Sequence, residues 1–272
     1  MVSLVSVLFS ALFRQKPLVR RHAFNLCVPP TSHLVLDADV IASRPVFVVG
    51  DIHGCCDELQ EIVSEAQKEH GDTLFIFVGD MVNKGPKNVE VLDFISTLKS
   101  YAVRGNHDEV VLRELAELKK DPSYELREKN KWMTSLRPEH VNYLNNLPYT
   151  ISLPSLNSLI VHAGLIPGIP LEQLDYNNMT NMRNIITEDY FDGRGLVAST
   201  GIKDGVPWAS LWPGPEHVYF GHDARRKLQQ YPHATGLDTG CLYGGCLTGI
   251  FINGCKKMIQ IPAKNVYVDP NV

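Results

Sequence analysis

Six residues of this sequence, Asp51, His53, Asp80, Asn106, His162 and His222, are oxygen and imidazole donors of the kind that bind Mn, Fe or Zn. Each stands just beyond a short apolar run. Gly50-Asp51-Ile52-His53-Gly54 follows Val46-Phe47-Val48-Val49, and Gly79-Asp80-Met81-Val82-Asn83-Lys84-Gly85-Pro86 follows Leu74-Phe75-Ile76-Phe77-Val78. Arg104-Gly105-Asn106-His107-Asp108 follows Tyr101-Ala102-Val103, His162-Ala163-Gly164 follows Leu159-Ile160-Val161, and Gly221-His222-Asp223 follows Val218-Tyr219-Phe220. The donor set holds no thiolate, which argues against a soft-metal site. Six donors exceed the three that an ordinary catalytic zinc takes from protein. Two ions sharing a carboxylate fit better, and a pair held roughly 3.5 to 4 Å apart can clamp a phosphoryl oxygen and acidify a bridging water.

The elements that must position these donors are legible in the same runs. Each run is short, rich in β-branched and aromatic residues and flanked by Gly or charge, so each reads as a buried strand. Helical patterns alternate with the first three, which makes residues 46–108 a βαβαβ unit. In such a unit the loops beyond the strand carboxyl ends converge on the ligand site. A helix is expected from Asp57, with Asp57 as its cap, and another over 88–98 with Val89, Leu92 and Ile95 on one face. Residues 109–120 read as a charged helix, and Pro138 opens a further helix through Leu147. That helix lies in an insertion, 124–148, where Trp132 and Tyr143 read as core or lid packing and His140 as a surface residue. Residues 165–212 read as loop-rich, and 247–252 as a terminal strand.

Five motifs in this order resemble the calcineurin-like metallophosphoesterases of the phosphoprotein phosphatase superfamily. Within it, the segment Leu237-Asp238-Thr239-Gly240-Cys241-Leu242-Tyr243-Gly244-Gly245-Cys246-Leu247-Thr248, together with Gly85-Pro86 and Met182-Arg183-Asn184, is most similar to the ApaH-like branch. The bacterial members of that branch are symmetrical diadenosine tetraphosphatases. βα alternation is all that the pattern itself gives. The resemblance implies more: an α/β fold with a two-sheet sandwich flanked by helices and a dinuclear metal site at the strand C-terminal ends. It implies two divalent ions (Mn, Fe or Zn), one held by Asp51, His53 and Asp80, the other by Asp80, Asn106, His162 and His222. By the same carry-over His107 is the general acid, and Arg104 and Lys84 are phosphate contacts. Arg183 is a candidate grip on a nucleotide or polyphosphate tail, with a structural ion pair as the competing role.

One residue departs from the protein Ser/Thr phosphatases, which carry an Asp, paired with the catalytic His, where this chain has Asn83. An amide can accept the hydrogen bond but brings no charge, so it raises the imidazole pKa less than a carboxylate does. That favours a good leaving group. The expected function is therefore a dinuclear metal-dependent phosphohydrolase using metal-hydroxide attack on phosphoanhydrides: diadenosine tetraphosphate, an RNA cap or polyphosphate. A protein serine/threonine phosphatase is the alternative. A non-catalytic metal-stabilised scaffold ranks below both, because every expected ligand and His107 are present.

At 272 residues the chain can bury a sizeable core. A net charge of -4 argues against stable nucleic-acid or anionic-membrane binding and leaves a phosphorylated small molecule or nucleotide as the expected partner. The six cysteines show no C-x-x-C spacing, and a domain of this size has no need of a disulfide framework, so a reducing compartment, the cytoplasm, is favoured. Cys55 and Cys56 read as small filler beside the metal loop. Before Asp37 there is no acid, while Arg14, Lys16, Arg20 and Arg21 are present. This start is compatible with an organelle targeting segment or with a simple N-terminal arm. Its apolar stretch, residues 2–13, is short for a membrane span, so any membrane contact is expected through the arm alone. The division expected is an arm over 1–43 and a catalytic domain over 44–272.

Overall fold

A computed structural model of the chain describes Leu26, residues 28–190 and residues 193–269. Residues 1–25, on which the targeting reading rests, lie outside the described residues. Among the described residues no helix is long and apolar enough to cross a membrane. The first elements are β1 (His33–Val35) and a single turn, α1 (Ala38–Ile41). The βαβαβ unit follows as β2 (Val46–Val49), α2 (Cys56–His70), β3 (Leu74–Phe77), α3 (Asn88–Ser96) and β4 (Ser100–Ala102), its strands parallel and adjacent. Next come α4 (Asn106–Lys120), α5 (Pro138–Asn146), β5 (Thr150–Leu153), β6 (Ser158–Val161) and α6 (Tyr176–Asn181). The chain closes with β7 (Asn184–Tyr190), β8 (Gly193–Ser199), β9 (Val206–Pro207), β10 (His217–Phe220), β11 (Gln229–Tyr231), β12 (Ala234–Gly236), β13 (Cys246–Phe251) and β14 (Met258–Pro262).

Two sheets face each other, one ordered β14-β13-β2-β3-β4 and the other β1-β5-β6-β10-β12-β11. Strand alternation explains why the central runs are apolar throughout. Val46 and Val48 of β2 and Leu74 and Ile76 of β3 meet Ile151, Leu153, Ile160 and Tyr219 of the second sheet. The intervening Phe47, Val49, Phe75 and Phe77 turn the other way, onto Leu59, Ile62 and Val63 of α2 and Val91, Leu92 and Ile95 of α3. A strand covered on both faces has no polar positions to alternate with. The outer face of the second sheet, through Leu159, Val161, Val218 and Phe220, packs on Met179 and Trp208. Each Phe or Val so buried stabilises the fold by roughly 1.5–3 kcal/mol, and the sandwich expected from the resemblance is the fold observed.

Several local expectations need correction. Residues 165–212 are not mainly loop, because β7 pairs with β8 and β9 in a third, antiparallel sheet. Ile185 is buried there but Val197 is 37 % exposed, so this hairpin has no continuous apolar run to betray it. Asp57 is not the cap of α2. Cys55 holds that position, and Asp57 sits in the first turn, where Lys87 Nζ donates to its carboxylate at 2.7 and 2.8 Å. His140 is buried rather than exposed and bonds Asp93 at 3.0 Å, locking α5 against α3. α4 begins at Asn106, so the third motif is itself the first turn of a helix.

Candidate active site

Strand order brings the donors together in pairs. β2 and β3 are parallel neighbours, and the loops leaving them carry Asp51, His53 and Asp80. β6 and β10 are parallel neighbours too, and carry His162 and His222. The first two loops are stitched together by the Asp80 carbonyl, which accepts the Ile52 and His53 amides at 3.1 and 2.8 Å. His53 (φ 48°), Asp80 (φ 48°) and His222 (φ 71°) all adopt left-handed backbone. For a non-glycine residue that costs on the order of 1–2 kcal/mol, and it persists because the surrounding bonds fix the loops.

Side-chain donors and acceptors within the cluster are unbalanced in an informative way. His162 Nδ1 donates to the Val78 carbonyl at 2.8 Å, so the neutral ring presents its bare Nε2 to Asn106 Oδ1 at 3.0 Å and Asp80 Oδ2 at 3.5 Å. His222 Nε2 donates to the Asn181 carbonyl at 3.0 Å, which leaves its bare Nδ1 facing Asn106 Oδ1 at 3.1 Å. His53 Nε2 lies 3.4 Å from Asp80 Oδ2. Two trios, Asp51, His53 and Asp80, and Asp80, His162 and His222, therefore converge with Asp80 in common. Lone pairs turned toward lone pairs are what a bound cation relieves, and backbone carbonyls that fix the far nitrogen are how proteins orient metal-binding imidazoles.

The electrostatics agree. Burial, then Asp238 and Asp80, pushes the Asp51 carboxyl well up, and burial raises Asp80 to about 7. Burial lowers His162 to about 4 and drives His53 and His222 well below the ordinary imidazole value. Divalent ions reverse the first effect and exploit the second, since metals bind ionised carboxylates and neutral imidazoles. The donors present thus fit a pair of divalent cations, with Asn106 completing the His162–His222 side.

The remaining expected site residues divide. Asn83 and His107 meet, Asn83 Nδ2 lying 3.1 Å from His107 Nδ1. Asn83 Oδ1 already accepts the Lys84 amide at 2.9 Å, which fixes the orientation of its amide. Asn83 therefore donates to His107, where the sequence led us to expect an acceptor. Lys84 is exposed, its Nζ 3.3 Å from Tyr243 Oη. Arg104, expected from its motif as a phosphate contact, is turned into the protein. It is fully buried, donating to the Leu144 and Asn145 carbonyls at 3.3 and 2.7 Å at the end of α5, and lies over the Tyr149 ring. Arg183 is partly exposed and makes contacts within the protein: Nε is 3.7 Å from Asp223, and the guanidinium donates to the Thr200 and His222 carbonyls.

Two buried acids gained no role from the sequence. Asp108 accepts the amides of Asp80, Met81 and Gly105 at 3.0, 3.1 and 2.9 Å, tying the second motif to the third. Its position three residues beyond Gly105 at a helix start is a capping signal that could have found it. Asp238 is buried close enough to raise Asp51, and its own carboxyl is pushed up to about 7, chiefly by burial.

Gly221 shows how tightly the donors are packed. A Cβ there would overlap Asp51 Oδ1. Gly221→Ala is expected to weaken metal retention by about 10- to 100-fold, the scale of a misplaced supporting group, with a smaller effect on melting; metal titration alongside thermal melts checks this.

Comparison with known proteins gives three kinds of match. A family model described as calcineurin-like phosphoesterase matches residues 44–244. A symmetrical bis(5'-nucleosyl)-tetraphosphatase from Coxiella burnetii is 27% identical, over 84% of this chain and 95% of its own length. A serine/threonine-protein phosphatase 1 from Salmonella typhimurium is 26% identical, over 75% and 90% respectively. A crystal structure provisionally described as a diadenosine tetraphosphatase is 36% identical with a TM-score of 0.74, over 86% of this chain and 99% of its own.

Proposed function

The chain belongs to the calcineurin-like phosphoesterase family, and from that premise we propose that it hydrolyses the phosphoanhydride bonds of nucleoside polyphosphates, bis(5'-nucleosyl) tetraphosphates foremost. When bound, two divalent ions supply charge to polarise the phosphoryl group and to acidify a water. In this reading Asp51, His53 and Asp80 hold one ion, and Asp80, Asn106, His162 and His222 the other. Lys84, at the exposed edge, offsets negative charge on the phosphate chain.

His107 presents a proton to the leaving oxygen, and the direction of the Asn83 amide is the observation that carries the substrate preference. Because Asn83 Nδ2 donates to Nδ1 of His107, the ring proton sits on Nε2. A neutral imidazole offers a hydrogen bond but gives up its proton reluctantly. A second proton on Nδ1 would face the amide N–H, and burial with the nearby Lys84 already lowers His107 to about 3. Such an acid suits a leaving group that is stable as an anion, which a nucleotide phosphate is and a serine alkoxide is not. The tetraphosphatase relatives support the same substrate class.

Product analysis on Mn-, Co- and Zn-loaded protein tests the reading, with diadenosine tetraphosphate, capped RNA, long-chain polyphosphate and a phosphoserine peptide offered in parallel. Turnover is expected on the anhydrides, with the tetraphosphate fastest. Asn83→Asp is expected to raise the peptide-to-anhydride rate ratio by about tenfold or more, since a carboxylate stabilises the doubly protonated ring. Faster turnover of the phosphopeptide by the unaltered protein would make it a protein phosphatase instead.

A further inference from the structure

A second donor cluster lies next to the first metal loop. We propose that Cys55, Glu58 and Cys241 form a binding site for Zn(II) or a similarly thiophilic divalent ion, distinct from the catalytic pair. Two of the side chains come from the start of α2, Cys55 at its N-cap and Glu58 in its first turn, and the third, Cys241, from the loop between β12 and β13. All three residues are buried, Glu58 and Cys55 completely. Their ligand atoms lie within 4.8 Å of one another. Tetrahedral zinc with bonds of about 2.0–2.3 Å sets its ligands roughly 3.5–3.8 Å apart, so side-chain rotation of about an ångström closes the site.

Glu58 supplies the independent sign of a missing partner. Its Oε1 accepts the Lys264 amide and the Tyr267 hydroxyl, each at 2.8 Å, and these bonds fix the carboxylate. Its Oε2 is buried with no hydrogen-bond partner. An acceptor left unpaired in the interior is costly, yet here it is held in place beside two thiols. One oxygen anchored by protein donors and the other left bare is the arrangement of a supported metal ligand. Binding would release the two thiol protons to solvent and form two metal–sulfur bonds and one metal–oxygen bond. The resulting negative charge lies at the start of α2, where the helix dipole favours it. Such an ion would tie the His53 loop, α2 and the segment after β12 together beneath the catalytic donors.

Thiolate ligation gives the site its own signature, because the catalytic donor set contains no sulfur. The full-length protein, reduced and loaded anaerobically with Co(II), is expected to take up a third equivalent and to show a thiolate-to-cobalt charge-transfer band in the near ultraviolet. Cys241→Ser is expected to lose that band and that equivalent while keeping the other two. Glu58→Gln should weaken the third equivalent at least tenfold and shift the ligand-field bands. The unaltered protein decides the matter even where a variant fails to fold. Cobalt uptake without the thiolate band would reduce the cluster to hydrogen-bonded thiols, and a Cys55–Cys241 disulfide found by mass in the protein as isolated would equally overturn the proposal.

Discussion

Asp80→Asn is expected to lower turnover by about a thousand-fold or more, roughly 4 kcal/mol of lost transition-state stabilisation. Asp80 is the one side chain common to both donor trios, within 3.4 Å of His53 and 3.5 Å of His162. An amide keeps its shape, and its oxygen can still accept the His107 backbone N–H that Asp80 Oδ1 holds at 2.7 Å. The amide nitrogen, however, would donate to an imidazole lone pair and so compete with a cation.

The fold is expected to tolerate this change, and the sign follows from the direction of the Asp80 shift. Burial raises its carboxyl from 3.8 to about 7. A raised acid is protonated in the folded chain while the unfolded chain has already ionised. Its contribution to stability is therefore present below about 4 and is lost as pH rises through about 7. Near neutrality the ionised Asp80 is a burden on the metal-free protein. Metal-free Asp80→Asn should melt no lower than the metal-free parent at pH 7.5, while added Mn or Zn should raise the melting temperature of the parent more than that of the variant. A variant that melts far below the parent without metal, and regains activity in excess metal, would show Asp80 to be a folding residue rather than a shared ligand.

The same features that made the centre legible in the sequence explain what stayed hidden. β2 was readable to the residue because both its faces are buried and its run is therefore unbroken. Donors placed directly after such strands inherit their position from strand order, so Asp51, Asp80, His162 and His222 could be brought together without coordinates. Side-chain direction is not encoded that way. Arg104 and Asn106 flank the same glycine, yet Arg104 turns back to the carbonyls ending α5 while Asn106 opens α4 toward His162. The direction of the Asn83 amide was equally hidden, because it depends on the Lys84 amide in a left-handed turn. Cys55 and Glu58 stand three residues apart, but Cys241 lies far along the chain, so only the fold brings the three together.

His107→Asn is expected to have two very different effects depending on the residue at position 83. On the proposed function, the ring in the natural background contributes a hydrogen bond to a leaving group that departs readily as an anion, and its loss should cost about tenfold on diadenosine tetraphosphate. In an Asn83→Asp background the carboxylate accepts from Nδ1 and holds the ring doubly protonated, as a true proton donor. There His107→Asn should cost about 10²- to 10⁴-fold on a phosphomonoester, the usual range for removing a general acid. The four proteins form a double-mutant cycle, best read on one alkyl phosphomonoester, such as a phosphoserine peptide, and one tetraphosphate in parallel. A coupling of tenfold or more on the alkyl phosphomonoester, and little on the tetraphosphate, would mean that the Asn83–His107 bond selects the leaving group. Equal losses in both backgrounds would mean that this bond sets ring geometry alone, and the preference for anhydrides would then have to come from Lys84 and the walls of the site.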